Sequence, residues 1–347
     1  MSRFFNDAGE QQKEEETESG TVIRYTPFFA TLVFLPVIIM AVWGPPRSDT
    51  YLYLQIYRTL PAKLAEGFRK AFSSKGPAFT MLGIFVKTVF GSNPTIYRLV
   101  LALIHAIPVI TVFRRYSDDY LLSIFLFLCQ GIHLAWMMNG IRQFVAVTII
   151  FAATPWLIEK QYVNVILVIL VASTFHRTAL FMLLVVFVVQ GKAWNMRTLI
   201  FIALTIVATL IFSRNGSVFD SILDLAGYSI QAAKEFGDDG ANPVRVLITM
   251  APLVLAYFSR DILEEEYDGM LNICVNMCVI STGTMLVATV TSGIMVGRME
   301  IYTSLYSMIL LPHLIDVYFV ENNKTVVKFI AAILYFILFC VERGFLC

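Results

Sequence analysis

Charged residues are scarce in this sequence. Asp, Glu, Lys and Arg make up 15% of its 347 residues, and the net charge is +1 at neutral pH. Soluble domains carry about 25% charged residues, and a soluble fold of this size has too little interior to hide so much apolar surface. The shortage of charge excludes an ordinary soluble enzyme, and the balanced net charge gives no sign of a nucleic-acid partner.

Metal-ligating residues are few as well. There are five cysteines and four histidines, and the cysteines lie in or beside apolar runs without the spacing of a zinc site or a disulfide scaffold. We therefore expect no metal and no cofactor.

Hydrophobic residues, in contrast, make up 58% of the chain. Twelve apolar runs lie between residues 27 and 341, and a membrane-spanning helix needs about 20 apolar residues. The pattern predicts an all-α, polytopic transmembrane helical bundle of about eleven spans, or twelve if the short run 77–91 also crosses. Residues 1–25 are polar and acidic and predict a disordered cytoplasmic tail, which leaves residues 26–347 as a single transmembrane domain.

Two polar segments interrupt the apolar runs, residues 44–76 and 213–242. Both have apolar residues at helical spacing, which predicts amphipathic helices on the outer membrane surface. With the N-terminus in the cytoplasm and run 77–91 re-entrant rather than crossing, basic residues of alternate loops fall on one side, as the positive-inside rule expects. The opposite, outer side then receives the following residues: Asp49, Arg142, His176, Arg177, Arg298.

Three of these outer residues are arginines in the first or last turn of an apolar run: Arg142, Arg177 and Arg298. A charge at membrane depth costs about 2.5–3.5 kcal/mol on insertion scales, so it is usually paired or functional. Guanidinium groups bind phosphate oxygens bidentately and stay protonated. Each arginine alone could instead extend to lipid headgroups, but three on one side favour a diphosphate site.

Candidate acid–base residues lie on the same side. His176 titrates near neutrality, which suits a group that accepts a proton. Asp49 is a candidate general base, a sugar-hydroxyl acceptor or an N-cap of the helix that follows. Glu300 is two residues from Arg298, so on a helix it points elsewhere and is a separate candidate for binding an acceptor. Tyr53 belongs either to an interfacial aromatic belt or to a platform that stacks on sugar rings.

Five short segments in this order resemble the EpsG branch of the Wzy-type polysaccharide polymerases. The resemblance covers about residues 27–341, and the Arg-Gln and His-Arg-Thr-Ala elements are its most specific parts. The segments are Ser-Asp-Thr-Tyr-Leu-Tyr (48–53), Gly-Pro-Ala-Phe (76–79), Asn-Gly-Ile-Arg-Gln-Phe-Val-Ala (139–146), Phe-His-Arg-Thr-Ala-Leu (175–180) and Gly-Arg-Met-Glu-Ile-Tyr (297–302). The family typically has Glu-Pro-Gly-Phe where this chain has Gly-Pro-Ala-Phe, so the acidic residue of that motif is missing.

The resemblance implies a glycosyltransferase of the bacterial plasma membrane, similar in fold to the integral-membrane enzymes that use lipid-linked sugars. It would transfer a growing O-antigen, exopolysaccharide or capsule glycan from undecaprenyl diphosphate to a hydroxyl of the next lipid-linked repeat unit, on the outer face. Implied partners are the lipid-linked donor and acceptor, membrane lipids, a chain-length regulator and a flippase. Gln143 and Tyr302 would then be hydrogen-bond partners for saccharide.

Two other classes remain open from the residues. A polysaccharide flippase or other transporter would show ionisable residues at mid-membrane, broken helices and paired repeats; few mid-span charges and no repeats are visible here. A lipid-linked-glycan ligase would need the same arginines, so the sequence separates it poorly from a polymerase.

Overall fold

The computed structural model describes residues 13–17, 20–46, 48–225, 240–261 and 269–342. The described part is almost entirely helical, which confirms the predicted all-α polytopic class. Its helices form two compact units: unit 1 consists of Met1–Leu180 and Glu321–Cys347, and unit 2 of Phe181–Val320. The sequence predicts one helical domain, whereas the contacts divide it in two.

Unit 1 contains eleven helices of very different length among its described residues. They are α1 (Pro27–Trp43), α2 (Ser48–Thr59), α3 (Leu64–Phe72), α4 (Pro77–Phe90), α5 (Pro94–Tyr116), α6 (Tyr120–Cys129), α7 (Ile132–Met138), α8 (Ile141–Ala152), α9 (Thr154–Ile158), α10 (Tyr162–Phe175) and the C-terminal helix (Glu321–Glu342). A 3₁₀ helix, Arg177–Leu180, follows α10. Helices α2 and α3 lie within segment 44–76, and their placement on the outer membrane surface stays a prediction.

Unit 2 is built around one long, mostly buried helix. Its helices are α11 (Phe181–Val188), α12 (Met196–Arg214), α13 (Gly216–Leu225), α14 (Pro243–Phe258), α15 (Gly269–Thr289) and α16 (Ser307–Tyr318), and the C-terminal helix of unit 1 is numbered α17. The buried helix is α15, which packs against α12 and α14. Two 3₁₀ helices, Gly297–Tyr302 and Ser304–Tyr306, precede α16. Helix α13 lies within the predicted amphipathic segment 213–242, whose placement on the outer surface stays a prediction. Residues 226–239 of that segment lie outside the described residues.

Fewer of the apolar runs are continuous full-length helices than the sequence predicts. By length and composition, four described helices can cross a membrane: α5, α12, α15 and α17. Helices α6 and α7 together make a fifth candidate, bent by 72°. The bend follows Gln130 at Gly131, whose φ of 67° lies in the left-handed region that favours glycine. Six further apolar helices have 10–17 residues, counting the 3₁₀ turn at Arg177 with α11 as one.

The N-terminal segment differs from the prediction. Lys13–Thr17 and Gly20–Arg24 form a two-stranded antiparallel hairpin where the sequence predicts a disordered tail. The second strand contains Thr21, Val22 and Ile23, whose β-branched side chains favour extended backbone. Residues 1–12 of the predicted tail lie outside the described residues.

The C-terminal end of α1 lies beside the N-terminal end of α5. The guanidinium of Arg98, near the start of α5, donates from Nη2 to the Gly44 carbonyl at 2.7 Å and from Nε to the Ala41 carbonyl at 3.1 Å. Both carbonyls lie at the end of α1. If α1 crosses the membrane, an even number of crossings must therefore separate α1 from α5.

Helix α4 is too short to cross the membrane by itself. Its 14 residues span about 21 Å, against a hydrocarbon core of about 30 Å. Helices α3 and α4 pack together as a hairpin, with Gly67 against the side chain of Ile84. Run 77–91 is thus the second arm of a helical hairpin, here called hairpin α3–α4, with residues 73–76 as its tip. Whether this hairpin is the re-entrant segment that the parity of basic loops favours stays a prediction.

Lys87, the charge within this run, has a structural role. Its ammonium group donates to the carbonyls of Tyr57 (3.3 Å), Arg58 (2.8 Å) and Leu60 (2.6 Å). These carbonyls lie at the C-terminal end of α2, where the last turn leaves acceptors unsatisfied and the helix dipole favours a cation. Lys87 thereby joins the end of α2 to the last turn of α4.

Candidate active site

Four of the sequence motifs meet at one end of unit 1. At the start of α2, the backbone N–H of Asp49 donates to Asn139 Oδ1 at 3.0 Å, and the hydroxyl of Thr50 donates to the Met138 carbonyl. Because α2 begins at Ser48, Asp49 lies inside the first turn rather than at the N-cap. An acidic side chain is favourable there, and the contact ties Asp49 to the segment that leads into α8.

Arg142 lies in the first turn of α8, beside the tip of hairpin α3–α4 and the end of α10. A methyl group built on Gly76 would lie 3.0 Å from Arg142 Cδ and 2.7 Å from the carbonyl oxygen of Phe175. Since both atoms are within 3.0 Å of one point, they are no more than about 6 Å apart. We call Asp49, Gly76, Asn139, Arg142 and His176 the Arg142 cluster.

Arg142 is half-buried, and one donor of its guanidinium is buried and unused. The Nε of Arg142 is inaccessible to solvent and has no hydrogen-bond partner among the described residues. An unsatisfied charged donor is expensive in a protein interior. Helix α8 adds positive potential at the same point, because its N-cap Gly140 makes no side-chain cap and its first turn has no acidic residue. The site is therefore prepared for an anion.

Arg142 also lies deep in unit 1. The ring of Phe144, in the first turn of α8, contacts the ring of His105 at 5.1 Å between centroids. His105 is halfway along α5, and the eleven helical rises from Pro94 to His105 span about 16 Å. Helix α8 therefore begins level with the middle of α5, and the tip of hairpin α3–α4 reaches the same depth.

His176 is the cap residue at the C-terminal end of α10, immediately after Phe175. Its Nδ1 and the hydroxyl of Thr178 are 2.6 Å apart, which fixes the orientation of the ring. In the tautomer whose Nδ1–H donates to Thr178, Nε2 carries the lone pair that a general base needs. Arg177, the next residue, is exposed on the 3₁₀ helix.

The two predicted sugar contacts of unit 1 differ in placement. Gln143 is buried, with 3% of its surface exposed, so its position in α8 suits packing better than contact with a saccharide. Tyr53 is half-buried in α2 and packs edge-to-face against Phe79 of α4, with ring centroids 5.2 Å apart. Tyr53 thus belongs to the contact between α2 and hairpin α3–α4 rather than to an outward-facing belt.

In unit 2 the predicted residues Arg298, Glu300 and Tyr302 all lie on one 3₁₀ helix. Arg298 is exposed and Glu300 is buried, which confirms that the two side chains point in different directions. The Ser304 hydroxyl hydrogen-bonds to the Glu300 carboxylate. Tyr302 has 2% of its surface exposed and, like Gln143, lies in the core of its unit.

Sequence analysis missed one residue of this group, Arg245. It lies in the first turn of α14, close enough to Glu300 for the two charges to interact. Arg245 resembles Arg142 in its position, because each lies in the first turn of a helix and follows an asparagine by three residues. These asparagines are Asn242 and Asn139. Asn242 caps α14 by accepting from the Val244 N–H at 2.9 Å. The repeated Asn-x-x-Arg at a helix start was the signal that could have identified it.

The opposite end of unit 1 carries ordinary structural contacts. Arg24 donates to the Ser117 carbonyl at 3.0 Å, Arg114 donates to the Tyr25 carbonyl at 2.8 Å, and Lys328 forms a 3.1 Å ion pair with Asp119. All three of these basic residues have protein partners. The Nε of Arg142, in contrast, has no such partner among the described residues. No group of three His, Cys, Asp or Glu side chains in the described ranges is placed to hold a metal ion.

A model of the EpsG family matches residues 26–342, nearly the whole chain. That span includes all five motif segments and both units. No curated protein and no solved structure matches the sequence.

Proposed function

Because the chain belongs to the EpsG family, a family that points to polysaccharide-polymerase-like membrane proteins, we propose that it is a Wzy-type polymerase. It would transfer a growing glycan from undecaprenyl diphosphate to a hydroxyl of the next lipid-linked repeat unit. The observation that carries this proposal is Arg142: a half-buried arginine whose Nε donor is buried and unused, beside the residue that precedes His176.

A lipid diphosphate suits this arrangement. Its prenyl chain stays in the bilayer, so its charged group must be met at a protein surface within or near the membrane. An arginine remains charged there and can bind two phosphate oxygens at once. As the bond between the sugar and the diphosphate breaks, negative charge grows on the leaving group, and a fixed cation stabilises that charge in the transition state.

The second requirement is a proton acceptor. The acceptor hydroxyl attacks the anomeric carbon, the new glycosidic bond forms, and the electrons of the broken bond leave with the diphosphate. The hydroxyl proton must go to a base. We assign that role to His176, whose ring is oriented by Thr178. Asp49 is the alternative base in the same cluster.

Polymerisation needs two lipid-linked substrates, and unit 2 offers a second cationic group. Arg245 and Arg298 lie in the same unit as the buried carboxylate of Glu300, which would hold Arg245 in place. We assign Arg245 and Arg298 to the second lipid diphosphate. Arg177, which is exposed in unit 1, would assist Arg142 with the first.

Reconstitution tests the proposal. The purified protein in lipid nanodiscs, given a chemically defined undecaprenyl-diphosphate-linked repeat unit, should produce a ladder of longer glycans that remain attached to lipid. A flippase would move the substrate across a vesicle membrane without joining repeats. A ligase would transfer one glycan to a different acceptor. Either result in place of the ladder would refute the polymerase assignment.

The proposed reaction takes place on the outer face, so the end of unit 1 that carries the C-terminal end of α2 should be the outer end. In a variant without native cysteines, Arg58→Cys at the end of α2 should react with an impermeant thiol reagent in intact cells. Gln161→Cys, before α10 and about 21 Å along that helix from His176, should react only after lysis. The reverse pattern would place the cluster in the cytoplasm.

A further inference from the structure

Gly76 occupies a point that no larger residue can share. It is the N-cap of α4 and is buried between Arg142 and the end of α10. A methyl group there would lie 2.7 Å from the Phe175 carbonyl oxygen and 3.0 Å from Arg142 Cδ. Real Cβ atoms essentially never approach another heavy atom below 3.0 Å, so one of these neighbours would have to move.

The tip of hairpin α3–α4 is poorly able to yield. The Thr80 N–H donates to the Gly76 carbonyl at 3.0 Å, and the Thr80 hydroxyl donates to Ser74 Oγ at 2.9 Å. Both the backbone and the side chain of Ser74 donate to the Ala71 carbonyl, at 3.0 and 2.7 Å. These bonds connect the tip to the last turn of α3 and the first turn of α4, so the displacement falls on the two neighbours: the Phe175 carbonyl, which has the closer contact, and the side chain of Arg142.

Backbone conformation is not what demands glycine at this position. Gly76 has φ −151° and ψ 79°, and a negative φ is open to other residues. Glycine is required because the Phe175 carbonyl oxygen and Arg142 Cδ come too close to this position to leave room for a Cβ atom. A substitution here should therefore act on Arg142 and on the carbonyl before His176, rather than strain the turn.

We propose that Gly76 is a positioning residue, which lets the tip of hairpin α3–α4 hold Arg142 against the end of α10 so that Arg142 and His176 act on the same substrate. This inference rests on the proposed function of the Arg142 cluster. Gly76 touches no reacting atom in this scheme. It acts through Arg142 and through the Phe175 carbonyl, which immediately precedes His176.

The test compares three glycine-to-alanine variants in the polymerisation assay. Gly76→Ala should lower kcat by about tenfold or more, because small displacements of a binding group can cost up to about a hundredfold. Gly83→Ala on the same helix meets Leu60 Cδ1 at 2.8 Å; it should lower thermal stability but leave turnover per folded molecule unchanged. Gly216→Ala, with no atom within 4 Å, should resemble the wild type in both.

A double-mutant cycle separates positioning from a general packing defect. If Gly76 acts through Arg142, then Gly76→Ala should lower turnover in the wild type but change little in an Arg142→Lys background. Equal effects in both backgrounds, or loss only in proportion to the unfolded fraction, would overturn the inference. Failure of the wild type to polymerise would instead overturn the proposed function, so the two results are distinct.

Discussion

Arg142→Lys is expected to abolish long polymer while single repeat units remain attached to lipid. Lysine keeps the positive charge but presents a single compact donor instead of a planar fork, so a diphosphate is no longer bound bidentately. It also lacks an Nε donor to replace the one that is buried without a partner. Loss of one preorganised donor in a dry site costs about 10²- to 10³-fold in kcat. Polymer length on gels and turnover by the purified protein are the measurements.

A matched control is available in the same unit. Arg98 is half-buried near the start of α5, but its guanidinium donates to the carbonyls of Ala41 and Gly44. Arg98→Lys should therefore lower thermal stability without changing turnover per folded molecule. Persistence of long polymer in Arg142→Lys, or equal loss of turnover in the two variants, would contradict the diphosphate-binding role of Arg142.

His176→Ala is the second change with a large expected effect. A positioned general base contributes typically about 10²- to 10⁴-fold, so we expect a loss of kcat in that range with less change in substrate binding. Thr178→Val removes the oriented partner of Nδ1 and should give a smaller loss, because the base remains but its ring is free to rotate. Single-turnover rates and equilibrium binding of the lipid-linked repeat unit separate the two effects.

Asp49→Asn tests whether Asp49, rather than His176, is the general base. It keeps the size of the side chain and the backbone contact to Asn139 but removes the carboxylate. If Asp49→Asn abolishes turnover and His176→Ala does not, then Asp49 is the base and His176 caps α10. If both variants retain near-wild-type rates, the base lies outside the Arg142 cluster.

The sequence predicts which residues belong to the Arg142 cluster better than it predicts how the helices bring them together. The position of Arg142 at the start of an apolar run, and of His176 at the end of another, follows from hydropathy alone. Their meeting depends on two helices that run in opposite directions, α8 and α10, which short loops make probable. Hydropathy reports the free energy of transfer to lipid, and so it distinguishes apolar from polar segments well.

Hydropathy does not report how deep within the helical bundle a residue lies. For this reason the sequence did not predict the depth of Arg142 or the contact that Gly76 makes with it. Arg142 resembles a surface arginine when α8 is assumed to begin at the membrane surface. Only the contact between Phe144 and His105 shows that it begins near the middle of α5. The role of Gly76 depends on a contact between residues 66 positions apart. Arg245 was missed because one arginine at a helix start resembles a lipid-headgroup contact.

Two buried side chains have placements that the motifs do not predict. The family resemblance implies that Gln143 and Tyr302 are hydrogen-bond partners for saccharide, and they follow Arg142 and Glu300 by one and two positions. On a helix, adjacent residues point about 100° apart, and the structure turns both side chains into their units. Proximity in sequence to a functional residue thus carried little information about exposure.

Hairpin α3–α4 also has a consequence for how the protein is made. Helix α4 is apolar and emerges from the ribosome before α5, so the insertion machinery meets it as a possible crossing segment. If α4 crossed, α5 and every later helix would enter the membrane upside down. Lys87 supplies a contact that would oppose that outcome, because its ammonium group donates to carbonyls at the end of α2, and α2 is synthesised before α4. One lysine near the end of a short helix would then help to keep α4 beside α2, and with it the orientation of everything synthesised later.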